Sequence, residues 1–269
     1  MRTVHRCLPD DRDGITAMNV EVRKKIQMGE TAATITCKEE FVSAVIGGIA
    51  KARAEIVAYA RDRPEFLLSL EPLVADSDAP ETIRRMCLAS VEAGVGPMAS
   101  VAGAIAEAGA EAARDAGATH CIVDNGGDIA LLLDHPAVVG ILDQLESDVL
   151  PAVEIPPTDG RILGLCTSSG IFGHSISLGR AEAATVMART APLADALATA
   201  LGNGCKDGSR VRNALESISG IDGVLWAMAI VDGQVGTMGD MPRLLQAKRN
   251  SEDVTVHSDF PGSIPANDG

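Results

Sequence analysis

Apolar and polar positions alternate from Asn19 to Ile26, a turn follows at Gln27-Met-Gly-Glu30, and Thr31 to Thr36 is rich in β-branched residues. That pattern predicts a strand pair over residues 17–37. The period then lengthens. Phe41, Val42, Val45, Ile46, Ile49, Ala52, Ile56 and Val57 recur at helical spacing and predict a helix over 39–61. Gly47-Gly48 inside it lowers helix propensity, so a close neighbour is expected there. Residues 62–79 hold Pro64 and Pro72 and read as a connection with a short helix. A second long helix is predicted from Pro80 to Glu92, capped by Ser77 or Asp78. Gly94-Val-Gly-Pro97 breaks it, and a helix of small residues follows from Pro97 to Asp115.

Strand signals return at Cys121-Ile-Val123 and Ile129 to Leu133, on either side of Asp124-Asn-Gly-Gly-Asp128. A second strand–turn–strand is predicted from Arg161–Cys166 and Ile171–Ser177 around Thr167-Ser-Ser-Gly170. Helices are predicted at 192–202, opening with Pro192, and at 209–219, stopped by Gly220. Val224–Val231, Asp232-Gly233 and Gln234–Thr237 form a strong hairpin signal. Tight strand–turn–strand units beside separate helices predict an α+β fold with antiparallel sheet, not a dinucleotide-binding parallel sheet. Residues 1–249 read as one α+β domain or two intimately joined lobes. Residues 250–269 carry no Lys or Arg and read as a flexible acidic tail.

Composition narrows the function classes. The 269 residues carry 23 Lys+Arg against 37 Asp+Glu, a net charge of −14, which argues against a nucleic-acid partner. No run of apolar residues is long enough to span a membrane, and the first residues lack an export signal, so a cytoplasmic address is expected. The six cysteines have no paired metal-ligand spacing and read as small buried hydrophobes. Aromatics are only 2% of the chain, so a ring-shaped ligand has few stacking partners.

Three segments could carry chemistry. In Asp124-Asn125-Gly126-Gly127-Asp128, paired glycines exceed what a turn needs and carboxylates bracket it; the plain alternative is a hairpin turn. Thr167-Ser168-Ser169-Gly170 with His174 gathers hydroxyls and an imidazole, or is an ordinary Ser/Gly turn. Asp195 and Thr199 stand at i, i+4 on an otherwise Ala/Leu helix, so both oxygens leave one face. A hard cation such as Mg²⁺ would suit them; the alternative is an Asp favoured by the helix dipole in a first turn.

Asn125-Gly-Gly-Asp-Ile129, Thr167-Ser-Ser-Gly170 with His174, and Ala194-Asp-Ala-Leu-Ala-Thr-Ala200 occur in an order that resembles the ApbE family. Those proteins transfer FMN from FAD to a Ser or Thr of another protein. The chain looks most like a less characterised cytoplasmic branch from archaea and some bacteria. The resemblance implies an ApbE-like α+β fold, with Mg²⁺ and FAD as cofactors. It implies Asp195 and Thr199 side chains and the Ala198 carbonyl as metal ligands. Asn125, Gly126, Gly127, Asp128, Thr167, Ser168 and Ser169 would lie along the dinucleotide, with His174 as the catalytic base. A protein acceptor is the implied partner. Two stretches depart from the transferase pattern: Gly96-Pro-Met-Ala99 replaces Lys-Gly-Tyr-Ala, and Leu178-Gly-Arg-Ala-Glu182 replaces Asp-Pro-x-Thr-Gly. An alternative is therefore a non-transferase accessory protein in sulfur (sulfide) assimilation, binding a nucleotide or sulfur intermediate through Cys166 or Cys205. A third reading is a homo-oligomer in which the small-residue helix, 97–116, packs against a copy of itself.

Overall fold

The computed structural model describes residues 5–6, 20–141, 149–168 and 181–248. In chain order its elements are β1 (His5–Arg6), β2 (Glu21–Met28), β3 (Thr31–Lys38), α1 (Val42–Asp62), α2 (Pro64–Leu68), α3 (Glu81–Ala93) and α4 (Val101–Asp115). There follow β4 (Cys121–Asn125), β5 (Asp128–Leu132), β6 (Ala137–Gly140), β7 (Val149–Ile155), β8 (Leu163–Ser168), β9 (Ala183–Ala188) and α5 (Ala191–Gly204). The last are α6 (Val211–Ile218), β10 (Val224–Val231), β11 (Gln234–Gly239) and β12 (Arg243–Lys248).

Eight strands form one sheet in the order β11-β10-β9-β8-β5-β4-β3-β2, antiparallel at every pairing. A second antiparallel sheet has the order β1-β6-β7-β12. The α+β expectation holds. The inner strands of the eight-stranded sheet are buried on both faces, and residue size tells the faces apart. Along β10, Trp226, Met228 and Ile230 join Ile129, Leu131, Leu165 and Met187 in a core with Val139, Val153 and Ile155 of the smaller sheet. The intervening Ala227, Ala229 and Val231 face α5 and α6 together with Cys166 and Ala184. Strand period two thus separates a bulky sheet–sheet layer from a thin sheet–helix layer.

Small residues bring the helices very close. A Cβ on Gly103 of α4 would lie 2.3 Å from the Ala191 carbonyl oxygen, and one on Gly164 of β8 would lie 2.4 Å from the Ala191 Cα. Ala191 is therefore held between two glycines, and α5 is buried along most of its length. The small-residue helix spends its stripe inside its own chain: Gly103, Ala104, Ile105, Ala106, Gly109, Ala110 and Ala113 are buried. Of the glycine pair in α1, Gly48 meets the Ala108 carbonyl while Gly47 is open.

Local details correct three further expectations. α3 starts at Glu81 with Pro80 at the N-cap and no side-chain cap, so neither Ser77 nor Asp78 serves. Thr167 and Ser168 are not in a turn; they end β8, paired with Thr185 and Ala184 of β9. Asp195 is not in a first turn, because α5 begins at Ala191 and places it fifth. Ser169, Gly170, the expected strand 171–177, His174 and the 250–269 tail lie outside the described residues. No single helix among the described residues is long and apolar enough to cross a membrane.

Candidate functional site

Three carboxylates converge where α4, α5 and the β4–β5 hairpin meet. The hairpin turn is Gly126-Gly127, closed by the Asn125–Asp128 pair, and both glycines have positive φ, 73° and 102°. Left-handed geometry at two consecutive positions suits a two-residue hairpin and excludes most side chains. Asp124 is fully buried, and its Oδ1 accepts the Gly127 N–H at 2.8 Å. That N–H is therefore committed within the turn. Asn125 Nδ2 donates to the Ala102 carbonyl at 3.1 Å and ties the hairpin to the start of α4.

Asp128 turns its carboxyl inward. Burial pushes its pKa well up, and the negative charges of Asp195 and Asp124 push the same way. The Cys166 thiol and the Thr167 N–H hydrogen-bond to it and oppose that rise. Burial likewise raises the Cys166 thiol well above the usual range. Thr167 Oγ1 pairs with Thr185 Oγ1 across the strands at 2.9 Å. A Cβ on Gly202 of α5 would meet Ser168 Oγ at 3.5 Å, so Ser168 sits over the same helix one turn beyond Thr199.

Asp195 does two things at once. Its Oδ2 accepts the Gly103 N–H at 2.8 Å, and the Ala102 N–H also bonds to the carboxylate. Those are unpaired amides of the first turn of α4. The Ser100 hydroxyl at the N-cap does not take them; it donates to the Pro97 carbonyl at 2.8 Å. Burial raises the Asp195 pKa to about 7 against these two N–H bonds. In the opposite direction, Glu107 of α4 accepts the Ala191 N–H at the start of α5 at 2.6 Å. Each helix thus caps the other with a carboxylate. The first N–H of α5, that of Ala191, is therefore taken within the chain. Burial raises Glu107 to about 7, opposed by the Ala191 N–H and by Arg85, 3.3 Å away.

Glu107 carries no sequence signal for this role, since its partner is 84 positions away. Asp195 and Thr199 share a buried face of α5 as their spacing predicts. Ala198 is buried beside them. Among the described residues no Lys or Arg pairs with Asp128 or Asp195. Clustered carboxylates, with Asp128 held protonated by burial and by the charges of Asp195 and Asp124, and a hydroxyl on the same helix face as Asp195, fit a hard divalent cation in charge and donor type.

The family model described as AbpE bacteria matches residues 15–223. A UPF0280 protein of Methanocella arvoryzae is 42% identical over 231 residues, covering 86% of this chain and 94% of the relative. A UPF0280 protein of Archaeoglobus fulgidus is 42% identical over 241 residues, covering 87% and 98%. Among solved structures, the apo flavinyl transferase ApbE of Pseudomonas stutzeri has a TM-score of 0.55 at 10% identity, covering 82% of this chain and 94% of that one. The flavin transferase ApbE of Vibrio cholerae has a TM-score of 0.52 at 11% identity, covering 81% and 96%. At that identity the likeness is one of fold. The match across residues 15–223 and the 42% identical relatives show the family: the chain belongs to the ApbE-like proteins.

Proposed function

We propose that this chain is a Mg²⁺-dependent, FAD-binding protein of the flavin-transferase type. The carrying observation is the convergence of Asp124, Asp128 and Asp195, with no Lys or Arg beside Asp128 or Asp195 among the described residues. Asp195, Thr199 and the Ala198 carbonyl would hold the ion, with Asp128 facing the same space. Bound there, Mg²⁺ would neutralise phosphate charge. The protein's −14 charge repels polyanions, so a cation at this place would offset it for a dinucleotide.

In the reaction, an acceptor Ser or Thr oxygen forms a bond to the FMN phosphorus. The pyrophosphate P–O bond of FAD breaks, and AMP leaves with the electron pair. His174 would take the hydroxyl proton. Thr167, Ser168 and Ser169 would line the dinucleotide, with the glycine turn at Gly126 admitting close backbone approach. Cytoplasmic transfer to a protein acceptor completes the reading, and residues 1–249 would act as one domain.

The sulfur-carrier alternative finds less support. Cys166 and Cys205 are both buried, and burial raises both thiols. A carrier cysteine needs an accessible thiolate.

The test is AMP release from FAD by the full chain, with Mg²⁺ and Ser- or Thr-containing acceptor peptides. Release that disappears in Asp195→Ala is expected. No release, with FAD affinity unchanged in that variant, would overturn the reading.

A further inference from the structure

At the other end of the β4–β5 hairpin, two histidines flank the strands. His120 precedes β4 and His135 follows β5, with Glu21 opening β2 nearby. Four residues of extended chain, roughly 13 Å, separate His120 from Asp124 and the carboxylate cluster. The imidazoles stack with centroids 3.9 Å apart and planes 11° from parallel.

Both rings turn the same edge to the same group. Asp134 Oδ1 lies 3.2 Å from His120 Nδ1 and 2.6 Å from His135 Nδ1. Thr119 Oγ1 hydrogen-bonds to the other Asp134 oxygen and fixes the carboxylate. A carboxylate can only accept, so each Nδ1 carries the hydrogen. A ring in its neutral form then presents its Nε2 lone pair on the far side, and both Nε2 atoms face Glu21 Oε1, at 3.7 Å and 3.6 Å.

Lone pairs aimed at a carboxylate repel unless a cation lies between them. His120 Nε2 is buried with no hydrogen-bond partner among the described residues, in a residue only 4% exposed. One candidate ligand atom from each of Glu21, His120 and His135 lies within 4.8 Å of the other two. Donors about 2.1 Å from a tetrahedral zinc ion stand about 3.4 Å apart, close to the observed Glu21–histidine spacings. His135 is 41% exposed, so an ion can reach the ligand atoms from solvent. Two imidazoles and one carboxylate, with a second carboxylate orienting both rings, suit a borderline divalent ion rather than a hard one.

We infer that Glu21, His120 and His135 form a binding site for a zinc-class divalent cation, with Asp134 as the positioning residue. The three ligands come from the first residue of β2 and from both outer ends of the β4–β5 hairpin. The ion therefore staples β2 to the two strands that carry the carboxylate cluster. This site is independent of the proposed flavin chemistry.

The test uses metal-stripped full-length protein titrated with Co²⁺, then with competing Zn²⁺. Intense visible absorption of four-coordinate Co²⁺, bleached by Zn²⁺, is the expected result. His135→Asn and Glu21→Gln should each abolish it, while Asp195→Asn should leave it in place. Asp134→Asn should keep the band but weaken Co²⁺ affinity about 10- to 100-fold. Far-UV circular dichroism of each variant establishes that it is folded. No visible band in the folded wild type, or an unchanged band in folded His135→Asn, would overturn the assignment. Loss of the band in Asp195→Asn would also overturn it, because the ion would then sit at the carboxylate cluster.

Discussion

The Asp195 carboxylate accepts N–H groups of α4 while it raises the pKa of Asp128, so its hydrogen-bonding capacity and its charge can be tested apart. Asp195→Asn keeps an oxygen for Gly103 and Ala102 but removes the charge. It should stabilise the metal-free protein at pH 8, where the native carboxylate is ionised at a cost, and it should abolish stabilisation by Mg²⁺. Asp195→Ala leaves two buried amides without an acceptor and should cost about 1–2 kcal/mol with or without Mg²⁺. Urea denaturation of the three proteins, with and without Mg²⁺, separates the roles. Persistent Mg²⁺ stabilisation in Asp195→Asn would show that this carboxylate caps a helix and binds no metal. The i, i+4 pair Asp195–Thr199 is legible in the sequence because helix geometry alone puts both on one face. The capping duty is not, because Gly103 is 92 positions away.

Reciprocal capping makes α4 and α5 a coupled pair, and the pH dependence of stability should report it. Glu107 has a pKa of about 7 in the fold against 4.5 unfolded. Between those values the folded chain holds a proton that the unfolded chain has lost. Its stabilising contribution is therefore complete below pH 4.5 and is lost as pH rises through 7, by about 3 kcal/mol at most. Glu107→Gln should flatten stability against pH across that window. Asp195 and Asp128 shift in the same direction, so a slope of the same sign should remain. A variant whose slope equals the wild type would show that Glu107 is not protonated on folding. The same helix pair sets the cost at Gly103. Alanine there would gain about 1 kcal/mol of helix propensity but would drive a Cβ to 2.3 Å from the Ala191 carbonyl oxygen. Backbone cannot retreat as a flexible side chain can, and overpacking of about 1–3 kcal/mol should win. Gly103→Ala should therefore lower the urea midpoint and weaken Mg²⁺ stabilisation together. Helices such as α1 and α4 are legible because period 3.6 and glycine breaks mark them. Strands β7 and β9 are much less so. Pro151 interrupts β7, and all six residues of β9 are buried, which erases the alternation that marks a half-exposed strand.

At the scale of the molecule, one eight-stranded sheet serves two cores: helices cover one face and the four-stranded sheet covers the other. Exposing either face to water strips apolar cover from strands that the opposite core also uses. Adjacent residues of β10 belong to different cores, Met228 to one and Ala229 to the other, so neither core can melt while the strand stays intact. The sequence alone leaves one domain and two joined lobes both open, because a run such as Val224–Val231 does not say what lies on each side. The shared sheet favours one cooperative unit. Trp226 is the only tryptophan, is 2% exposed, and donates its indole N–H to Met187 Sδ at 3.0 Å inside the sheet–sheet core. Its emission therefore reports that core alone, while far-UV circular dichroism at 222 nm is dominated by the helices on the opposite face. Both signals should fall at one urea midpoint with one slope. A tryptophan transition separated from the helical one would show two lobes that melt apart, and the shared sheet would then not couple them.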